Sequence, residues 1–138
     1  MPVDLNHTFV YAHDPKASAA FLGEILGLDV APPFGPFIPL PTSNGVTLDY
    51  VEPGHVDGEH ERIRTQHYAF IVSEDEFTEI FGRVQGRGIE YFADPQLQRA
   101  GEINRNDGGR GVYFADPNGH VMEVITRPYG SGTITANS

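Results

Sequence analysis

The chain has 138 residues, enough for one domain or two very small units packed as one. With 19 acids against 9 bases its formal charge is −10 and its only lysine is Lys16, so no basic run could neutralise phosphates, which argues against a nucleic-acid or anionic-membrane partner. The absence of cysteine excludes disulfides, thiolate metal sites and a cysteine nucleophile.

Taken in order, Leu5–Ala12 reads as a strand rich in β-branched and aromatic residues. Asp14-Pro15 then supplies an N-cap and a first-turn proline. Ala17, Ala20, Phe21, Ile25 and Leu26 recur at helical spacing until Gly27 ends the pattern, and Leu28-Asp29-Val30 can start another strand. Ala31–Pro41 holds five prolines and reads as a loop, either a wall carrying Phe34 and Phe37 inward or a plain surface connection. Val46–Val51 reads as a strand, and the polar stretch 54–64 as a linker.

The second half repeats the order. Gln66–Val72 is a strand; Ser73 with Glu76 is a capping signal; Phe77, Ile80, Phe81 and Val84 form a helical stripe closed by Gly86 and Gly88. Ile89–Phe92 begins a strand and the polar, glycine-rich Asp94–Gly111 reads as a loop. Val112–Ala115 and His120–Thr126 flank the turn Asp116-Pro117-Asn118-Gly119, a hairpin pattern. Residues 129–138 read as a tail. Shifting the first half by 60 residues puts His7 on His67, Ala17 on Phe77, Ala20 on Ile80 and Phe21 on Phe81. One register for all four implies a duplicated β-α-β-β-β unit. Neither half would bury enough apolar surface alone, so the two should share an interface.

Strand alternation sorts the side chains. Thr8, Val10 and Ala12 can receive the first helix, which leaves His7, Phe9 and Tyr11 opposite. Tyr68, Phe70 and Val72 meet the second helix, which leaves His67, Ala69 and Ile71. Glu123 interrupts the apolar run VMEVI. A carboxylate there is costly unless paired or bound to a cation. Two histidines and one carboxylate can take one face of a metal and leave positions for substrate or oxygen. His7, His67 and Glu123 are therefore the candidate ligands. Iron(II), zinc, manganese, nickel and cobalt all suit this donor set. Asp49, at the corresponding place in the first half, is a possible fourth. The plainer alternatives are an ion pair of Glu123 with Arg110 or Arg127, and a solvated Asp49. His13, His55, His60 and His120 fall in turns and loops and read as surface groups.

The motifs Leu5-Asn6-His7, Asp14 with Phe21-Leu22, Gly27-Leu28, His67 and Tyr113-Phe-Ala-Asp-Pro-Asn-Gly-His-Val-Met-Glu123 resemble the vicinal oxygen chelate superfamily of glyoxalases, bleomycin-resistance proteins, fosfomycin-resistance enzymes and extradiol dioxygenases. The last segment fits that superfamily's F-x-D-P-x-G-x-x-x-E ending. The resemblance spans residues 3–128. It implies an α+β fold of two βαβββ modules (3–53 and 65–128) whose curled mixed sheets enclose a divalent-metal site. It also implies a homodimer in which each site joins the first module of one chain to the second module of the other. The shared chemistry is bidentate binding of a substrate's vicinal oxygens, with the metal as Lewis acid. The expected activity is that of a lyase, isomerase or extradiol-type dioxygenase on a small organic molecule. The alternative is a protein that sequesters a drug or metabolite. Tyr113 could donate a hydrogen bond to substrate or simply pack at the sheet edge. Glu123 and Tyr113 are the catalytic candidates. Phe9 and Tyr11 suggest a substrate with apolar or aromatic area. Arg105 and Arg110 could hold a carboxylate or phenolate, or be solvated surface groups. A fosfomycin-type activity is disfavoured, because Phe9 stands where those enzymes carry a polar residue and basic residues are few. No basic region precedes an apolar run at the N-terminus, so no signal peptide is expected and a cytoplasmic location is the default.

Overall fold

The computed structural model describes residues 2–56 and 62–132. It is an α+β, glyoxalase-like fold of two βαβββ modules with mixed sheets, in which three strands of each module pair as a regular sheet. The chain divides into two compact units, 1–64 with 116–119, and 65–115 with 120–138. Among the described residues no helix is long and apolar enough to cross a membrane.

In the first unit β1 (His7–Tyr11) pairs in parallel with β3 (Thr47–Val51), which pairs antiparallel with β2 (Ile38–Pro41). Helix α1 (Pro15–Leu26) packs on β2 and β3. The Asp14 carboxylate caps it by accepting from the Ala17 N–H at 3.1 Å. Gly27 ends it at φ 75°, a left-handed conformation that costs glycine little. Val10, Ala12, Ala19, Leu22, Ile25, Leu40 and Tyr50 are fully buried. They include Val10 and Ala12, two of the three strand positions expected to receive the helix; the third, Thr8, is half-buried.

The proline-rich stretch expected to be a loop contains β2. This strand lies at the margin of its sheet. The Pro39 carbonyl accepts from the Ala31 N–H at 2.9 Å, so its backbone faces away from β3. A proline there sacrifices no ladder hydrogen bond. Residues 28–30 form no strand.

Gly23 brings α1 close to its own exit. A Cβ on Gly23 would lie 2.8 Å from the Leu28 carbonyl oxygen and 3.2 Å from a Leu40 methyl. That carbonyl is backbone and has little room to move. Gly23→Ala is therefore expected to cost about 1–3 kcal/mol, read as a lowered midpoint in thermal unfolding. A midpoint equal to wild type would show that the turn yields freely.

In the second unit β4 (His67–Ile71) pairs in parallel with β6 (Val121–Ile125), and β6 pairs antiparallel with β5 (Gly111–Ala115). Phe92 joins β5 through an isolated bridge to Tyr113. Helix α2 (Glu74–Gly86) starts with the expected capping box: Ser73 Oγ accepts from the Glu76 N–H, and the Glu76 carboxylate accepts from the Ser73 N–H, both at 3.1 Å. Phe77, Val84, Val112, Phe114, Met122 and Val124 are fully buried.

The duplication is visible in strand register. His7 lies opposite Thr47 and Phe9 opposite Asp49; His67 lies opposite Val121 and Ala69 opposite Glu123. Asp49 is thus the internal counterpart of Glu123. Each carboxylate sits one pleat repeat along from its histidine, on the same sheet face. On the other side Asp49 faces Pro39, whereas Glu123 faces Tyr113.

Candidate functional site

The face of the second sheet opposite Phe114, Met122 and Val124 carries His67, Ala69, Tyr113 and Glu123. Tyr113 lies directly across from Glu123 in the β5–β6 register, and His67 lies on the diagonal from β4. Diagonal neighbours are within reach of a long side chain. His67 Nε2–H donates to Glu123 Oε1 at 2.8 Å. The histidine side chain is 42% exposed and the glutamate side chain 2%. The imidazole thus opens to solvent while the carboxylate lies at the bottom. The Tyr113 and His67 rings meet in an edge-type contact at a centroid separation of 5.8 Å.

The second carboxylate oxygen is also engaged. Tyr129 Oη donates to Glu123 Oε2, and Tyr113 Oη donates to Tyr129 Oη at 2.8 Å. Burial, then contact with Tyr129 and Glu123, pushes the Tyr113 phenol well above its ordinary value. Burial and the hydrogen bond to Glu123 likewise raise that of Tyr129. Both phenols are therefore protonated donors at neutral pH, in a chain that ends on the carboxylate. Neither arginine considered as a partner for Glu123 reaches it. Arg127 Nη2 donates to the Ser131 carbonyl at 2.7 Å. Arg110 binds Glu74 Oε1 at 2.8 Å, the Glu74 carbonyl at 2.9 Å and Thr78 Oγ1 at 2.8 Å, and stacks 4.5 Å above the Phe77 ring. The Thr126 hydroxyl and this guanidinium hold the Glu74 carboxyl below its ordinary value.

In the first unit His7 lies exposed on β1. Its Nδ1–H donates to Asn6 Oδ1 at 2.7 Å, which leaves Nε2 with its lone pair. An outer hydrogen bond of this kind fixes the tautomer of a metal-binding histidine. Burial raises the Asp49 carboxyl above its usual value and the nearby His7 partly offsets this. Phe9 is 41% exposed and stacks on Phe37 at 4.8 Å between ring centroids, with Phe34 exposed further along. Tyr11 is half-buried, and Arg105 is exposed at the entry to the short 3₁₀ turn Asn106–Gly108.

The donor set suits a divalent cation. Two donors at right angles, each about 2.1 Å from one ion, stand about 3 Å apart. The 2.8 Å separation of His67 Nε2 and Glu123 Oε1 is close to that spacing. The second unit thereby brings together two of the expected ligands. Among the described residues, no group of three histidine, aspartate or glutamate side chains that could hold a metal ion is formed.

Three residues depart from the sequence reading. His120, expected at the surface, is fully buried, and its Nδ1 accepts from the Gln66 N–H at 3.0 Å. It satisfies the backbone just ahead of β4. Asn6, beside His7 in the opening motif, holds the imidazole through its side-chain oxygen. Tyr129, a tail residue by sequence, reaches back to Glu123. The only signal for it was its position between Pro128 and Gly130, a turn pattern shortly after Glu123. His60 and residues 133–138 lie outside the described residues.

The family model described as "Glyoxalase/Bleomycin resistance protein/Dioxygenase superfamily" matches residues 4–124. A solved structure of Oxidase ChaP-H2 is 59% identical to the chain, covering 96% of this chain and all of that one, with a TM-score of 0.89. Oxidase ChaP-H1 is 53% identical, covering 94% and 99%, with a TM-score of 0.86. Among curated proteins, a glutathione transferase FosA of Serratia marcescens is 29% identical over 121 residues, 87% of this chain and 78% of that protein.

Proposed function

The chain belongs to the glyoxalase/bleomycin resistance protein/dioxygenase superfamily, and on that premise we propose that it is a divalent-metal-dependent oxidase acting on a small organic substrate with vicinal oxygens. The observation that carries this reading is the contact of His67 Nε2 with Glu123 Oε1 at 2.8 Å, on one sheet face. The similarity to two oxidases supports oxygen chemistry over the family's other reactions. In the proposed site, His67 and Glu123 of one copy and His7 of a second copy hold the cation, in a homodimer. A divalent ion so held would supply Lewis-acid stabilisation to substrate oxygens as they gain negative charge.

The chain's own residues bind and orient. Phe9, stacked on Phe37, offers a flat apolar surface suited to an aromatic ring. Tyr113 and Tyr129 keep protonated phenols beside Glu123 and can donate to an anionic oxygen. Arg110 is committed to the Glu74 carboxylate on α2, which argues against a phosphonate substrate. Asp49 stays outside the three-ligand set, its side chain being one methylene shorter than that of Glu123.

The test is metal analysis of tag-free protein, followed by oxygen uptake by the iron(II)-loaded form with a panel of ortho-dihydroxy aromatics. Near-stoichiometric metal and substrate-dependent oxygen uptake are expected. Tight aromatic binding by a protein that takes up no metal would overturn the proposal in favour of sequestration. Turnover confined to thiol addition to an epoxide, or to hemithioacetal isomerisation, would replace the oxidase reading with another family reaction.

A further inference from the structure

The turn after β6 is built to hold one side chain in place. Arg127 clasps the Ser131 carbonyl across it at 2.7 Å, and Gly130 adopts φ 78°. Gly132 N–H donates to Asp107 Oδ1 at 3.1 Å and ties the end of the turn to the loop before β5. Tyr129, between these fixed points, is 60% exposed as a residue. Its hydroxyl nevertheless reaches inward to a carboxylate that is almost wholly buried. It touches Glu123 at Oε2, while His67 touches Oε1. Tyr113 adds a second hydrogen bond to the same phenol.

We propose that Tyr129 is a positioning residue that holds Glu123 as a one-oxygen metal ligand. By occupying Oε2 it leaves Oε1, the oxygen beside His67, as the atom presented to the cation. A carboxylate free at both oxygens can take two coordination positions. One pinned by a phenol takes one, and the position saved is available to the second of two vicinal substrate oxygens. Two histidines and a one-oxygen glutamate leave three places on a six-coordinate ion, enough for a bidentate substrate and one further ligand. This inference rests on the metal-dependent reading above and adds the residue that sets how many sites the substrate finds open.

Cobalt(II) is the probe, because the position and intensity of its visible bands follow coordination number and geometry. Tag-free full-length wild type and Tyr129→Phe are titrated with cobalt(II), and both affinity and spectrum are recorded. Tyr129 is largely exposed, so the variant, which loses one oxygen atom, is expected to fold. The variant should show weaker, shifted bands as Glu123 takes a second position, with an affinity changed by about ten- to a hundredfold. Bands unchanged from wild type overturn the assignment even if affinity falls, since a merely structural role would weaken binding without altering geometry. Failure of the wild type itself to bind cobalt(II) would bring down the metal-dependent reading, and this inference with it.

Discussion

Glu123→Gln is expected to lower divalent-cation affinity by about a thousandfold or more while the protein stays folded. The two parts of that expectation have separate causes. The amide is isosteric with the carboxylate and can still pair with His67 and Tyr129, so the hydrogen-bonded positions at both side-chain atoms remain filled. Removing a charge from a side chain only 2% exposed also removes a desolvation cost, so the melting temperature should hold or rise. The neutral amide, however, gives up the anionic donor that the cation needs. Titration calorimetry and metal analysis measure the first effect, and thermal unfolding the second. Retained cation binding would show that Glu123 serves only to anchor His67 and Tyr129. His67→Ala should lose the cation as well, and should leave Glu123 with Tyr129 as its remaining neighbour of the pair that now flanks it.

Mixing two inactive variants should restore function. If His7 is contributed by one copy, and His67 with Glu123 by another, then His7→Ala and Glu123→Gln each spoil both sites of their own homodimer. In the mixed dimer one site collects both lesions and the other collects neither. Random reassortment after co-refolding should therefore recover about a quarter of wild-type metal content and turnover from two proteins that separately have almost none. No recovery, despite mixed dimers demonstrated by mass spectrometry, would place all three ligands within one copy. The experiment tests the shared site without requiring that the substrate be known, since bound metal is itself a readout.

Much of this arrangement is legible in the sequence because it depends on local, periodic rules. The Asp14 cap, the Ser73–Glu76 capping box and the Gly27 stop lie at the expected residues, since each is decided within one turn of helix. The alternation that separates His7 from Val10 and Ala12 follows from the pleat alone. The correspondence of Asp49 with Glu123 follows from the duplication and reappears in strand register. What the sequence hides is set by chain reversal or by competition among distant partners. Pro39 and Pro41 look like loop residues, since nothing nearby reveals that their strand lies at the sheet margin. His120 looks like a turn residue until the chain folds Gln66 against it. Arg110 has several carboxylates to choose from, and its selection of Glu74 depends on α2 lying beside it. Tyr129 becomes part of the site only because its turn doubles back over β6, which no periodicity records.

The prolines of β2 have a bearing on solubility. At the outer rim of that sheet Pro39 and Pro41 lack amide hydrogens, and the Pro39 carbonyl is already taken by Ala31. A stray β-segment approaching this rim would find no donors to grasp and one acceptor spent. The rim is thereby a poor template for runaway strand addition, and this side of the first sheet is closed without a charged side chain to repel newcomers.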